Sequence, residues 1–231
     1  FNATTVFALD EITVTARKTS ENLQDVPLAI TAITSEELDR LGVKDLDGLA
    51  QLDTSVQFDE GFNSSDTRIT IRGLSPTRGR PNAAVLIDGV DITSEAVSNA
   101  GGSLLIDPRL IDVERIEIVK GPQSALYGRS AFAGAIQYIS KDPDDVLGGE
   151  IFIDSSIEGD KQLRGNLSIP ITDTMGVRFN GLAWDNDGYY RNAATGEFVG
   201  GGEGLGGTVT FVYEPSDAVK FKWRTDYSQN E

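Results

Sequence analysis

One serine in the sequence has neighbours that resemble those of a catalytic nucleophile. Ser130 follows Gly128 and Arg129, as the serine follows its first glycine in the G-x-S-x-G turn of esterases. That turn needs a second glycine at position 132, which is Phe132, and a histidine as general base, which the sequence lacks. The spacing therefore argues against an acyl-transfer site.

Two other segments resemble ligand-binding loops without completing one. Asp185-Asn186-Asp187-Gly188 matches the start of a calcium loop, but Gly196 stands where the bidentate glutamate would be. The glycines at 200–202 follow no strand-to-helix transition, which a phosphate cradle requires. The chain has neither histidine nor cysteine, and the sequence predicts no metal site, no cofactor and no enzymatic activity.

The charge balance argues against one class of partner. The 231 residues include 36 acidic and 20 basic side chains, whereas nucleic-acid binding depends on lysines and arginines that neutralise phosphates. The lack of cysteine fits a Gram-negative envelope protein and a cytosolic protein equally. Residues 1–9 do not form a signal peptide, and no run of about 18 apolar residues could form a membrane helix. Any membrane contact would therefore be made by β-strands.

Residues 112–143 are the most informative stretch, because signals for strand, helix, turn and strand follow one another closely. Val113, Ile116, Ile118 and Val119 are apolar and β-prone, and Pro122 is predicted to be the first residue of a short helix that runs to Leu126. Gly128 ends that helix. A second strand is predicted over Ala135–Ile139.

This stretch resembles the end of the plug domain of TonB-dependent outer-membrane receptors. Ala133 and Gln137 replace a common glycine and asparagine of the family pattern. The matching segments are Glu114-Arg115, Lys120-Gly121-Pro122, Leu126-Tyr127-Gly128, Ser140-Lys141-Asp142-Pro143, Ile71-Arg72-Gly73 and Val85-Leu86-Ile87-Asp88-Gly89-Val90. The resemblance implies an α+β plug domain followed by antiparallel strands of a transmembrane β-barrel that is incomplete in this chain.

The N-terminal residues 10–16 alternate in character. Ile12, Val14 and Ala16 share one side of an extended segment, and the polar residues lie on the other. The pattern alone favours a first strand of the domain itself over a segment that pairs with another protein's sheet. The resemblance implies the second, because the family's TonB box adds as a strand to the periplasmic protein TonB. The residues so assigned are Asp10, Glu11, Ile12, Thr13, Val14, Thr15 and Ala16.

The sequence up to residue 143 predicts a mixture of short helices and strands, which indicates an α+β domain. Thr34 and Glu37 form a capping box for a helix that buries Leu38 and Leu41 and ends at Gly42. The other predicted elements are a helix over Val43–Leu52 and strands at Leu28–Ile33, Val56–Phe58, Arg68–Arg72 and Ala84–Asp88.

Three polar loops interrupt this domain, at residues 59–67, 75–82 and 92–107. Their composition is equally typical of plain surface connections. By resemblance they are apical loops that contact an extracellular ligand, and Arg78 and Arg80 suit an anionic one. The implied ligand-binding residues are Phe62, Asn63, Arg78, Arg80, Asn82, Ser94 and Glu95.

The resemblance implies a different role for two further cationic residues. Arg72 and Lys120 are expected to face carboxylates of the barrel wall and so to lock the plug in place. Those carboxylates are expected outside this chain.

The pattern changes after Pro143 to long alternating strands. In 162–169 and 219–227, apolar and aromatic residues alternate with polar and charged ones. A soluble sandwich gives the same alternation, but strands of this length fit a transmembrane barrel, apolar outside and polar inside. The other predicted strands of this region are 150–158, 174–185 and 205–214.

The connections between these strands alternate in length. Residues 170–173 and 215–217 form tight turns, whereas 185–204 form a long loop, as at the two ends of outer-membrane barrels. Five strands cannot close a barrel that has about 22 in the family. The predicted organisation is an N-terminal segment (1–19), a plug domain (20–143) and the first barrel strands (144–231).

The resemblance implies a TonB-dependent outer-membrane receptor that imports a scarce nutrient such as a ferric siderophore. Ligand binding outside would make residues 10–16 available to TonB, which is energised by the inner-membrane complex. The expected partners are TonB, a small extracellular ligand and outer-membrane lipid. The alternative is a non-transporting envelope protein, either an adhesin or a ligand-binding module, which would have no use for a TonB box.

Overall fold

The computed structural model describes residues 12–43, 46–60, 67–76, 81–94, 103–104, 112–156, 159–188, 190–196 and 198–230. The chain divides into two compact units. The first lies within residues 1–105 and 113–139, and the second within 106–112 and 140–231.

The first unit is built around a five-stranded mixed sheet. The sheet order is β3-β10-β11-β6-β7, with β10 antiparallel to β3 and β11 parallel to β6. This architecture confirms the predicted α+β class. Its strands are β1 (Thr13–Val14), β2 (Glu21–Asn22), β3 (Ala29–Thr34), β4 (Val56–Glu60), β5 (Thr67–Ile71), β6 (Ala83–Ile87), β7 (Val90–Asp91), β8 (Thr93–Ser94), β9 (Ser103–Leu104), β10 (Val113–Lys120) and β11 (Gly134–Ser140), and its helices are α1 (Ser35–Leu41), α2 (Leu46–Leu52) and α3 (Ser124–Tyr127).

Helix α1 begins and ends where its capping residues predict. The Thr34 side chain accepts a hydrogen bond from the Glu37 backbone N–H at 3.3 Å, and Gly42 ends the helix in the left-handed conformation. Leu38 is buried as predicted. The prediction for Leu41 was wrong: its side chain is half exposed, because a helix of two turns presents only a narrow stripe to the sheet.

Helix α3 starts later than predicted. Pro122 is not its first residue, since Gln123 is the N-cap and the helix runs from Ser124 to Tyr127. The Gly121 N–H donates to the Ala133 oxygen at 2.9 Å, and the Gln123 N–H donates to the Ala131 oxygen at 2.8 Å. These bonds hold residues 121–123 against 131–133, so the chain turns into a helix only after they end.

The second unit is an antiparallel sheet in which strands follow one another in chain order. The sheet order is β12-β13-β14-β17-β18, which matches the five predicted strands. The predicted long loop at 185–204 contains a small hairpin, β15 paired with β16. The strands of this unit are β12 (Gly148–Ser155), β13 (Lys161–Thr172), β14 (Met175–Asn186), β15 (Tyr190–Arg191), β16 (Phe198–Val199), β17 (Gly202–Ser216) and β18 (Val219–Asn230).

The polarity of this sheet is inverted relative to a water-soluble one. The apolar side chains of Ile151 and Ile153 are 76% and 81% exposed, whereas Ser168 and Arg178 are buried on the other face. An apolar outer face and a polar inner face are the arrangement of a strand that lies between lipid and a polar lumen. The arrangement agrees with the predicted barrel strands. Among the described residues, no helix is long and apolar enough to cross a membrane.

The short turns of the second unit lie slightly further along the chain than predicted. Strand β13 continues through Pro170 to Thr172, and β17 continues to Ser216, so the turns are centred on 173–174 and 217–218. Both pairings shift register near these ends, between Pro170 and Thr172 and between Tyr213 and Ser216. Proline lacks the N–H that a regular ladder needs, so Pro170 is tolerated at such an irregularity.

Gly134 allows a close approach between two central strands of the first unit. Its φ is +152°, and a Cβ added there would lie 2.3 Å from the Val119 carbonyl oxygen of β10. We predict that Gly134→Ala lowers the stability of this unit by about 1–3 kcal/mol, because the strands must separate to admit a methyl group. Calorimetry of the purified protein in detergent would measure the loss.

Gly42→Ala is the matched control for this prediction. Gly42 also has a positive φ, +67°, but nothing lies within 4 Å of an added Cβ. That variant should show only the cost of backbone strain, about 1 kcal/mol. An equal loss in the two variants would contradict the proposed strand separation.

Candidate functional site

The segment predicted to act by strand addition is docked on the first unit. Asp10 and Glu11 lie outside the described residues, and the structure describes the segment from Ile12 onward. Thr13 and Val14 pair antiparallel with Asn22 and Glu21, and the Leu23 N–H donates to the Ile12 oxygen at 2.9 Å. The predicted alternation is visible in the burial pattern, because Val14 and Ala16 are buried and Thr13 is exposed.

The strongest polar contact of this segment is with Glu117, in the middle of β10. The Thr15 N–H donates to both carboxylate oxygens of Glu117 at 2.9 Å, and the Thr15 hydroxyl donates to Oε1 at 3.2 Å. Arg115 Nε donates to the same oxygen at 2.9 Å. Glu117 is fully buried, so these donors replace the water that a carboxylate would otherwise bind.

Two more hydrogen bonds hold the segment beside Glu117. Gln137 Nε2 donates to the Thr15 hydroxyl oxygen at 3.0 Å, and the Tyr127 hydroxyl donates to the Ala16 carbonyl oxygen. Burial and the nearby charge of Glu117 raise the pKa of Tyr127 to about 12, so the phenol stays protonated and remains a donor. The sequence showed none of these partners, although Gln137 marks a departure from the family pattern.

Apolar packing completes the docking site. Ala16 belongs to a buried cluster that includes Val119 of β10 and Tyr127 of helix α3. The other members of the cluster are Ala84, Leu86, Ala131 and Ala135, with Leu28, Ile30 and Leu126 packed around it. The site as a whole holds a peptide segment by hydrogen bonds and apolar packing.

Lys120, predicted to lock the plug, has a carboxylate partner inside the first unit. Its Nζ lies 2.7 Å from Asp53 Oδ2, and both side chains are largely buried. Burial would raise the pKa of Asp53, but the hydrogen bonds from Lys120 and Ser55 outweigh it and lower that pKa to about 2. The sequence placed the partner carboxylates of Lys120 outside the chain and gave no signal for Asp53.

Arg72 occupies a tight turn next to the end of β10. Arg72 and Gly73 both have positive φ, +51° and +77°, and the Leu74 N–H donates to the Ile71 oxygen across the turn. The Arg72 guanidinium reaches Gly121, where an added Cβ would be 3.8 Å from Nη1. The two predicted lock residues are therefore brought to one part of the unit.

The predicted ligand-binding residues are only partly described. Phe62, Asn63, Arg78, Arg80 and Glu95 lie outside the described residues. Asn82 Nδ2 donates to the Ser75 oxygen at 2.6 Å, which closes the base of its loop. The Ser94 backbone belongs to β8 and pairs with Ser103 of β9. Their assignment to a ligand remains a prediction.

A second polar cluster lies inside the second unit, and the sequence did not predict it. Arg178 on β14 pairs with Asp112 and, at 3.0 Å, with Asp144. Lys220 and Lys222 on β18 pair with Asp142 at 2.5 and 2.9 Å. The two lysines lower the pKa of Asp142 despite its burial, which would raise it. The polar face of this sheet thus holds residues 140–144 by ion pairs.

Comparison with known proteins gives one matching family model, described as the TonB-dependent receptor plug domain, over residues 22–135. The chain is 30% identical over 213 residues to the pesticin receptor of Yersinia pestis, covering 89% of this chain and 30% of the relative. It is 29% identical over 168 residues to the vitamin B12 transporter BtuB of Photobacterium profundum, covering 71% of this chain and 27% of the relative.

A solved structure agrees in fold. The ferric yersiniabactin uptake receptor FyuA from Yersinia pestis superposes with a TM-score of 0.76 and 26% identity, covering 88% of this chain and 32% of that chain. The chain thus spans about a third or less of the length of these relatives. They are named as receptors and transporters, which agrees with the prediction that the chain is not an enzyme.

The Lys120–Asp53 pair gives a prediction for pH dependence. The pKa of Asp53 is lower in the folded state than its ordinary value of 3.8, so its contribution to stability is complete above about pH 4 and is lost as pH falls toward 2. We predict that Asp53→Asn lowers the free energy of unfolding by about 2 kcal/mol at pH 7. The difference from the parent should vanish near pH 2.

Thermal unfolding of the full-length receptor in detergent across this pH range measures the effect. Asp25→Asn is the matched control, because Asp25 is an exposed carboxylate of the same unit. Its stability should follow the parent at every pH. A destabilisation by Asp53→Asn that persists unchanged at pH 2 would show that the pair acts through packing instead of charge.

Proposed function

The chain belongs to the family of TonB-dependent receptors of the Gram-negative outer membrane, and from that membership we propose that it is the plug and first wall strands of an active importer. An external ligand binds the apical loops, the plug rearranges, and residues 10–16 become available to TonB. TonB, energised by the inner-membrane complex, then opens a path past the plug. Lipid surrounds the apolar face of the strands.

The observation that carries this proposal is the docking of residues 12–16. The segment is extended, and it is held on the plug by hydrogen bonds from Thr15 and to Ala16. An extended segment offers backbone N–H and C=O groups to a partner sheet once it is released. A passive adhesin or ligand-binding module, the alternative function, has no need of such a segment.

We further propose that the imported ligand is a metal chelate or a cofactor-sized nutrient. The vitamin B12 transporter and the ferric yersiniabactin uptake receptor support this class, since one is named for a vitamin and the other for a ferric chelate. The proposed contacts are Phe62, Asn63, Arg78, Arg80, Asn82, Ser94 and Glu95. Arg78 and Arg80 favour a ligand with exposed carboxylate or catecholate oxygens.

Arg72 and Lys120 are proposed to position the plug without touching the ligand. Their closeness at the end of β10 and the ion pair of Lys120 with Asp53 support a structural role. In this proposal Asp53 supplies one counter-charge for Lys120, and carboxylates of the remaining wall supply the others.

Energy coupling can be tested by removing one backbone donor from the segment. We predict that Ile12→Pro in the full-length receptor abolishes uptake, because proline cannot donate to a strand of TonB. Ile12→Ala should have a milder effect. Uptake and surface binding of radiolabelled ferric siderophores and cobalamin, measured side by side, give the readout. Binding should persist in both variants.

Ile12 is a better site for this test than Val14, which is fully buried and whose replacement by proline would also disturb the plug. Thr13→Ala, at an exposed position of the same segment, is the control for side-chain effects. Import at the parental rate by Ile12→Pro would remove the box assignment and favour the passive binder.

The ligand assignment has its own test. We predict that the double variant Arg78→Ala, Arg80→Ala weakens surface binding of the imported ligand by about tenfold or more, because two charge-assisted hydrogen bonds are lost. Arg40→Ala, an exposed arginine of helix α1, should leave binding unchanged. Equilibrium binding on intact cells measures both. Parental affinity in the double variant would show that these loops are plain connections.

A further inference from the structure

Glu117 is an unusual residue for the centre of a sheet. It lies on β10, its exposed fraction is 0%, and its neighbours on that strand are the apolar Ile116 and Ile118. An ionised carboxylate in such a place requires donors that compensate for lost hydration. Those donors are the Thr15 N–H, the Thr15 hydroxyl and Arg115.

Thr15 depends on Glu117 in the same way. The paired residues of β1 are Thr13 and Val14, so the Thr15 N–H lies just beyond the ladder and donates to the carboxylate. The Thr15 hydroxyl donates to Glu117 and accepts from Gln137, so it acts both as a hydrogen-bond donor and as an acceptor. Arg115, Glu117, Thr15 and Gln137 therefore form one continuous chain of hydrogen bonds.

The contact joins residues that are far apart in sequence, since Thr15 and Glu117 are separated by |i−j| = 102. It lies at the C-terminal end of residues 10–16 and next to the buried Val14. Residues 12–16 cannot leave the sheet face together unless this contact breaks.

We propose that Glu117 is the latch that keeps residues 12–16 docked on the plug, and that loss of its bonds to Thr15 presents the segment. The proposal rests on the proposed function for the meaning of that presentation, but the docking itself is independent of TonB. Glu117 acts as a positioning residue: it holds Thr15 and touches neither ligand nor partner.

The charge of the latch explains why it holds and how it opens. Hydrogen bonds to an ionised group are stronger than neutral ones, so the docked state is favoured while Thr15 and Arg115 both donate. When the segment lifts, water reaches the carboxylate and replaces the Thr15 donors. Release therefore leaves no unpaired buried charge, and the segment can dock again.

A single-cysteine reporter tests the latch, because the chain has no cysteine of its own. Val14→Cys places a thiol at a fully buried position of the segment with little change in volume. The full-length receptor, with any cysteines elsewhere replaced, is treated in TonB-free outer-membrane vesicles with a water-soluble maleimide, and the labelling rate is measured.

We expect Glu117→Gln to raise the labelling rate of the Val14→Cys thiol at least tenfold. The amide keeps the shape of the side chain but turns one acceptor into a donor, which opposes the Thr15 N–H. Thr15→Val, which loses the hydroxyl and keeps the N–H bonds, should raise the rate by a smaller factor.

Glu114→Gln is the matched control. Glu114 is a half-exposed carboxylate on the same strand that pairs with Arg115 at 2.6 Å, whereas the Thr15 donors go to Glu117. Its labelling rate should equal that of the parent. An equal rise in Glu114→Gln and Glu117→Gln would assign the effect to Arg115 and overturn the latch.

A second reporter separates local release from unfolding. Leu49→Cys on helix α2 is buried in the same unit, and Leu49 is not a member of the cluster that surrounds Ala16. Under the proposal, Glu117→Gln exposes the thiol at position 14 and leaves the one at position 49 protected. Labelling at both positions, or slow labelling at both, would show that Glu117 does not act on the segment specifically.

The outcome also distinguishes this proposal from the proposed function. If Glu117→Gln exposes position 14 but cross-linking of the segment to added TonB does not increase, the latch stands and the assignment of residues 10–16 as a TonB box fails. If exposure does not change while Ile12→Pro still abolishes uptake, the box stands and the latch fails.

Discussion

The first unit depends on how strand β10 is buried. This strand lies between β3 and β11, and Ile116, Ile118 and Val119 are all buried along it. Most positions of such a strand must be apolar, because no water reaches either face. Glu117 breaks that rule, and Thr15 and Arg115 supply the donors that make it tolerable. While residues 12–16 are docked, they therefore compensate for the burial of this carboxylate as well as covering the sheet.

That requirement links stability to function. A segment proposed to bind TonB need not be docked on the plug, but here its last residues contribute to the buried cluster around Ala16. Docking is consequently favoured by apolar burial and by charge together, and release must offset both. A segment held in this way stays docked until another event weakens its contacts. The proposed ligand-dependent import requires this property.

In the second unit, the positions of apolar and polar side chains are reversed relative to a water-soluble sheet. Its exposed side chains on one face are apolar, and its cations Arg178, Lys220 and Lys222 lie on the opposite face. These cations form ion pairs with the carboxylates of Asp112, Asp142 and Asp144.

The sequence by itself determined the local elements and the family. Capping at Thr34 and Gly42, the strand at 113–119 and the alternation in 162–169 and 219–227 depend on neighbours a few residues away, so they can be predicted from the order of residues along the chain. The exposure of Leu41, the late start of α3, the Asp53 partner of Lys120 and the Glu117–Thr15 contact were decided only by tertiary structure. Each depends on side chains brought together from distant or non-periodic positions, for which a single sequence carries no spacing rule.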